Sequence, residues 1–343
     1  MDTLTDLVKS DPYAVQRRQM NECRYLHHAE GHYESYFLRA NHPVRPLAFW
    51  FRYTIFAPKG RPQDNLGELW AIVFDGDSNR IVVAKEEYPL AQCQFDNSQL
   101  SVHMNGSQLR PGVAIGEARQ NGNRIRWDLG YLPGDEPVYL LPKSLYDAPL
   151  PKAKALVANP NALFNGTITV NGETIHVENW VGSENHNWGS KHTDEYAWGQ
   201  VAGFDNDETA FLECATARIH LGPIKTPWMT TLVCRVGGET YALNNLLKAA
   251  LAKGRYDYFN WEFETGNDRV NIKGVISAPY EHFVGLTYGN PPGGTHTCLN
   301  CKIAQCRLSI KPRGKPEINL YTRHRAAFEI LTDDADHGVP ILA

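Results

Sequence analysis

The chain has 343 residues, 42% of them hydrophobic and 11% aromatic, and carries a formal net charge of -4. That length exceeds one ordinary compact domain and suits two domains or one large β-architecture. The charge balance supplies no broad basic field, which argues against nucleic acid as a partner.

Residues 1–30 include Asp2, Asp6, Lys9, Asp11, Arg17, Arg18 and Glu22, which interrupt any apolar stretch that a secretory signal needs. No later window approaches the roughly 18 uncharged apolar residues of a membrane span. A soluble cytoplasmic protein is expected, with transient membrane contact left open, and its seven cysteines then read as thiols.

In chain order, a short helix is expected around Asp11 to Arg24. The aromatic run Leu47 to Ala57 and the segment Gly67 to Asp75 read as strands, the second closing at the turn Gly76–Asn79. Shorter strands follow at 80–88, 100–104 and 124–129. Asn105-Gly106-Ser107 and Asn165-Gly166-Thr167 have the form of glycosylation sequons, but Asn-Gly is also the preferred hairpin dipeptide, and both are read as turns. Prolines at 133, 137, 142, 149, 151 and 160 are denser than strand interiors tolerate, which marks the connection between two lobes.

Beyond it, strands are expected at 166–170, 174–181, 197–204, 209–218, 230–236, 257–265, 269–277, 283–288 and 318–325. Leu243 to Lys253 reads as a helix with Leu246, Leu247, Ala250 and Leu251 on one apolar face, closed by Gly254. Cys298, Cys301 and Cys306 lie in a segment, 297–308, that reads as a strand and splits them between two faces, so no metal site is expected. The pattern predicts an all-β protein of two lobes, residues 1–145 and 163–343, joined by 146–162.

The chemistry concentrates in Gly182-Ser183-Glu184-Asn185-His186-Asn187-Trp188-Gly189 and Tyr196-Ala197-Trp198-Gly199. Asp205–Glu208 reads as a four-residue hairpin loop that sets Phe204 opposite Thr209, Ala202 opposite Phe211 and Gln200 opposite Glu213. Tyr196, Trp198, Gln200, Phe211 and Glu213 then share one face. Burial among Leu212, Cys214 and Phe211 would raise the Glu213 pKa and make it a proton donor; the alternative is a structural Glu bonded to Gln200 or paired with Arg218. His186, in a glycine-flanked loop, reads either as an acid or base or as a cap for backbone groups, with Glu184, Asp194 and Glu195 as weaker acids nearby. Trp180, Trp188, Trp198, Trp228 and Trp261 either line a cavity or fill the core. Dinucleotide, phosphate-loop, serine-hydrolase and zinc-peptidase motifs are missing, so no cofactor is expected.

His186-Asn187-Trp188-Gly189, Tyr196-Ala197-Trp198-Gly199, Glu34-Ser35-Tyr36-Phe37-Leu38-Arg39, Phe49–Tyr53 and Gly67-Glu68-Leu69-Trp70 resemble the carotenoid 1,2-hydratase and AttH-like family. That group is distantly similar to tocopherol cyclases and lipocalin-like Diels–Alderases. The resemblance implies two lipocalin-like barrel lobes packed together around a hydrophobic pocket, without an organic cofactor. It also implies acid-catalysed hydration or cyclisation of an isoprenoid alkene, with a pericyclic reaction on a polyene or a lipid or pigment carrier as alternatives. His186 and Trp188 match the family's His-x-Trp pair, while Phe211-Leu212-Glu213 stands where its Tyr-x-Asp pair falls, and Asn185 replaces its usual Asp. On this basis Glu213 is the expected acid, and His186 the base or water-orienting group. Glu184, Trp188 and Tyr196 complete the catalytic set, and Trp198, Gln200, Trp180 and Phe211 contact substrate.

Overall fold

A computed structural model describes residues 11–26, 30–221 and 224–343. The aromatic and β-branched runs form long antiparallel strands. The first sheet takes β1 (His32–Asn41), β2 (Leu47–Ala57), β3 (Leu66–Asp75), β4 (Arg80–Pro89), β5 (Cys93–Phe95), β6 (Val102–Met104), β7 (Ser107–Arg110), β8 (Val113–Gln120), β9 (Asn123–Leu132), β10 (Val138–Tyr139), β11 (Ala153–Val170) and β12 (Glu173–Gly189). Its order is β4-β3-β2-β1-β12-β11-β9-β8-β7-β6-β5, with β10 beside β11. It curls until β4 meets the β8–β9 turn, where Asn123 Nδ2 donates to the Val83 carbonyl (3.1 Å) and Gln120 Oε1 accepts from the Lys85 N–H (2.9 Å).

The second sheet holds β13 (Glu195–Phe204), β14 (Asp207–Arg218), β17 (Met229–Val236), β18 (Glu239–Leu243), β19 (Lys253–Asp257), β20 (Asn260–Gly266), β21 (Val270–Ser277), β22 (Val284–Gly289), β23 (Thr295–Pro312) and β24 (Ile318–Thr332); β15 (His220–Leu221) and β16 (Ile224–Lys225) pair separately. The all-β, lipocalin-like expectation holds. The sheets divide between Gly189 and Glu195, so strands 153–189 complete the first sheet and the proline-rich 146–162 does not separate the two.

Every residue of β1 is buried, because both faces of that strand are covered. Tyr36 and Leu38 point into the first lobe with Phe49, Phe51 and Trp127, while Phe37, Trp50 and Trp70 belong to a cluster shared with the second lobe. Strand alternation thus supplies one face for a lobe core and the other for the seam between lobes. Outer strands such as β9 show ordinary buried/exposed alternation.

Several local expectations need correction. Asn105-Gly106 does form a turn, with φ of +43° and +83°, but Asn165-Gly166 lies inside β11 at a bulge. A Cβ at Gly166 would lie 2.1 Å from the Asp128 carbonyl oxygen, so the glycine there serves close strand approach. The expected 243–253 helix shrinks to Leu246–Ala249, which buries Ala249 but leaves Leu247 and Leu251 exposed: a single turn is too short to present the expected four-residue apolar face. Near the amino end, the helix Ala14–Met20 is fastened by Arg17, which donates to the carbonyls of Ala158, Gly134 and Asp135. Among the described residues no helix is long and apolar enough to cross a membrane.

Candidate active site

β13 and β14 carry the central acid. Gln200 stands opposite Glu213, and Ala202 opposite Phe211, as the hairpin reading requires. The loop itself differs: Phe204 pairs with Asp207 rather than Thr209, and a bulge at Gly203, whose φ is +70°, restores the register.

Glu213, Trp198 and Tyr196 look across the seam to Phe37, Trp50 and Arg52 of the first lobe, and between them lies a cavity of about 420 Å³. That size suits a small organic molecule. Asn185 and Asn187 from β12 and Glu329 from β24 also reach it, and Leu140, Leu145 and Leu150 of the proline-rich segment close one wall.

Glu213 accepts from Trp198 Nε1 (2.8 Å) and from Gln200 Nε2 (2.8 Å), one donor per carboxyl oxygen. Gln200 has its orientation fixed, because its Oε1 accepts from Arg39 Nε (2.8 Å) and Ser183 Oγ (2.6 Å), and its Nε2 also donates to Asn185 Oδ1 (2.8 Å). Burial pushes the Glu213 pKa up to about 7, against the opposing pull of Trp198, Gln200 and the Arg39 guanidinium. A lone pair on each oxygen stays free, so Glu213 can hold a proton near neutral pH and give it to a bound molecule.

A second carboxyl, Glu329, lies across the strand pair from Trp198. Lys302 Nζ (2.7 Å) and Asn300 Nδ2 (3.0 Å) donate to its Oε1. His192 stacks on Tyr33 with ring centroids 3.8 Å apart, and burial, helped by the Arg52 charge, pushes its pKa down to about 3. It is a neutral ring at physiological pH.

His186 and Trp188 lie within strand β12 rather than in a loop, on the face opposite Asn185 and Asn187. His186 is buried, with Nδ1 donating to the Met20 carbonyl (2.6 Å) and Nε2 to Glu34 Oε1 (2.8 Å), and stacks on Tyr36. Both ring nitrogens are engaged inside the first lobe, and the ring does not reach the cavity. Glu184 shares that face, bonded by Asn21 and Tyr131. Nor does Gly182 turn the chain: it sits where a Cβ would lie 1.9 Å from the Arg39 carbonyl oxygen.

Trp180 belongs to the first-lobe core beside Phe49. Phe211 shares the face of Glu213 but packs with Val138, Val157 and Val233 away from the cavity. Arg218 pairs with Glu195 (2.5 Å) and Asp194 with Lys191 (2.5 Å), so neither acid enters the site and Glu213 has no Arg218 partner. The expected set is therefore brought together in part: Glu213, Gln200, Trp198 and Tyr196 converge, while His186, Trp188, Glu184, Trp180 and Phe211 stand elsewhere. Arg52 and Glu329 escaped the sequence reading, although a lone charge within an aromatic or apolar strand, WFRYT or AAFEILT, is a usable signal.

Solved structures share this fold. An AttH-like protein of Nitrosomonas europaea superposes with a TM-score of 0.55 at 12% identity, covering 88% of this chain and 93% of that one. Kievitone hydratase of Nectria haematococca gives 0.54 at 12% identity, over 92% and 94% of the two chains, and CghA gives 0.50 at 10% identity, over 88% of each. In sequence, the uncharacterized proteins MT0513 and Rv0493c of Mycobacterium tuberculosis are 24% identical over 212 residues; the match spans 61% of this chain and 61% of each relative. No family model matches the chain.

Proposed function

We propose that this protein is a cofactor-independent enzyme that hydrates or cyclises an isoprenoid-type alkene in the interlobe cavity, with Glu213 as proton donor. The carrying observation is a buried carboxyl, its pKa pushed up to about 7, facing a cavity walled by aromatic rings. Glu213 protonates the alkene and the π bond becomes the new C–H bond. The cation left on the more substituted carbon is stabilised by the faces of Trp198, Tyr196 and Trp50. Water, or a hydroxyl of the substrate itself, then captures the cation, and its surplus proton passes to the Glu213 or Glu329 carboxylate, so no external reagent is consumed. His186 has no part in this scheme. The shared fold with kievitone hydratase supports water addition.

The test is incubation with a panel of prenylated phenols and short isoprenoids in D₂O, read by mass spectrometry. A deuterium-bearing adduct or ring is expected, and Glu213→Gln should lower its rate by ~100-fold or more. Substrate recovered unchanged would make the protein a carrier, and full turnover in the Gln variant would remove Glu213 from the chemistry.

A further inference from the structure

The buried cations of this molecule differ in how they are neutralised. Arg17 reaches Asp11 and three carbonyls, and Arg39 reaches Gln200, Asn41 and the Arg325 carbonyl. Lys154 donates to the carbonyls of Leu145 and Ala148, Lys302 to Glu329 and Asn300, and Arg325 to the Pro43 carbonyl. Arg52, only 6% exposed, is the exception. Among the described residues its guanidinium has no hydrogen-bond or ion-pair partner, and its Nε is buried and unsatisfied.

What it has instead is a ring. The guanidinium carbon sits 4.4 Å from the Tyr288 centroid and 5.9 Å from that of Trp50. Cation–π contact stabilises a guanidinium but fills none of its five N–H donors. The acids that act on Arg52 electrostatically include Glu68 and Glu329. Each is already engaged, Glu68 with Lys85 (3.0 Å) and Glu329 with Lys302 (2.7 Å). A buried charge left without acceptors is costly in the free protein, and such a group at a cavity wall is accounted for when a ligand supplies them.

We infer that Arg52 anchors an anionic oxygen, a carboxylate in the simplest case, at one end of the apolar molecule that occupies the interlobe cavity. This rests on the reading of that cavity as the substrate site, and it makes the substrate an amphiphile: an acidic head on Arg52 and an apolar body along Phe37, Trp50 and Trp198 toward Glu213. A guanidinium presents a planar fork that fits two oxygens at once, which an ammonium does not. Arg52 is then a specificity determinant that fixes which end of the molecule faces the acid.

The experiment compares decanoate with decanol, equal in apolar length, binding to the full-length protein at pH 7.5 by titration calorimetry. The wild type should prefer decanoate by ~10-fold or more, the range of a charge-assisted hydrogen bond. Arg52→Met should abolish that preference while leaving decanol affinity within about threefold, Arg52→Lys should keep part of it, and Glu213→Gln should keep all of it. Equal affinities in the wild type, a comparison that needs no variant, or a preference that survives in Arg52→Met, would overturn the role of Arg52 and leave the cavity reading standing. Failure of both compounds to bind the wild type would remove both readings.

Discussion

Two buried carboxylates, one in each sheet of the molecule, have opposite fates. Glu34, on the first-lobe side of β1, accepts from His186 and His32 (2.9 Å) and from the Arg24 backbone N–H (2.8 Å). Burial pushes its pKa up, but the His186 and His32 hydrogen bonds and charges outweigh burial and hold it well below the ordinary carboxylate range. Glu213, at the seam, meets the neutral donors Trp198 and Gln200, with the Arg39 charge more weakly felt, and burial wins. Glu34 also collects more donors, Tyr36 Oη (3.2 Å) and Cys23 Sγ (3.5 Å) among them, and the two sites differ further in the charge beside each carboxyl and in the presence of open space. A fully partnered ion pair fixes a fold, whereas an acid with neutral partners and a free side facing a cavity can exchange a proton.

The largest expected effect separates these roles. Glu213→Gln should lose ~100-fold or more in turnover with its circular dichroism and denaturation midpoint retained. His186→Ala should do the reverse: removing one partner of a buried pair destabilises by about 3–5 kcal/mol, measured by urea unfolding, while turnover per folded molecule stays near the wild type. If His186→Ala abolished turnover in a fully folded protein, the two sites would not be distinct.

A smaller effect concerns pH. The Glu213 carboxyl has a folded pKa of about 7, above its ordinary value of 4.5. The native state therefore binds more protons than the unfolded state between those values, and stability falls as pH rises from about 4.5 to about 7. The loss is on the order of 3 kcal/mol at about 1.4 kcal/mol per pH unit. Thermal denaturation from pH 5 to 8 should show this slope in the wild type and a flatter profile in Glu213→Gln. Activity should be full with Glu213 protonated and decline above about pH 7.

The smallest effect tests the wall. Trp198→Phe keeps an aromatic face but removes the Nε1 donor to Glu213. One donor fewer on the carboxylate should move the pH midpoint of activity upward by roughly one unit. An unchanged midpoint would mean that Trp198 acts through shape alone.

The strands, their antiparallel pairing and the facing of Gln200 and Glu213 were legible in the sequence, because alternation and a short acidic turn determine register locally. That register survived an error in the loop: the bulge at Gly203 absorbs what the two-residue turn removes. The facing of His186 was not legible. Its neighbours Glu184, Asn185, Asn187 and Trp188 are polar or aromatic on both sides, so alternation had no apolar face to identify, and both faces of β12 are in fact covered there. The proline-rich segment was equally ambiguous; proline excludes a strand interior but does not say what the segment packs against.

By itself, then, the sequence determined an all-β chain with an acid, an amide and three aromatic rings on one face of a hairpin, since these follow from period-two geometry within a few residues. Tertiary structure alone decided which lobe that face meets, that Arg52 and Glu329 join it from strands distant in sequence, and that His186 turns inward to Glu34. Those outcomes depend on how two curved sheets dock, a contact between residues far apart in the chain that no local pattern records.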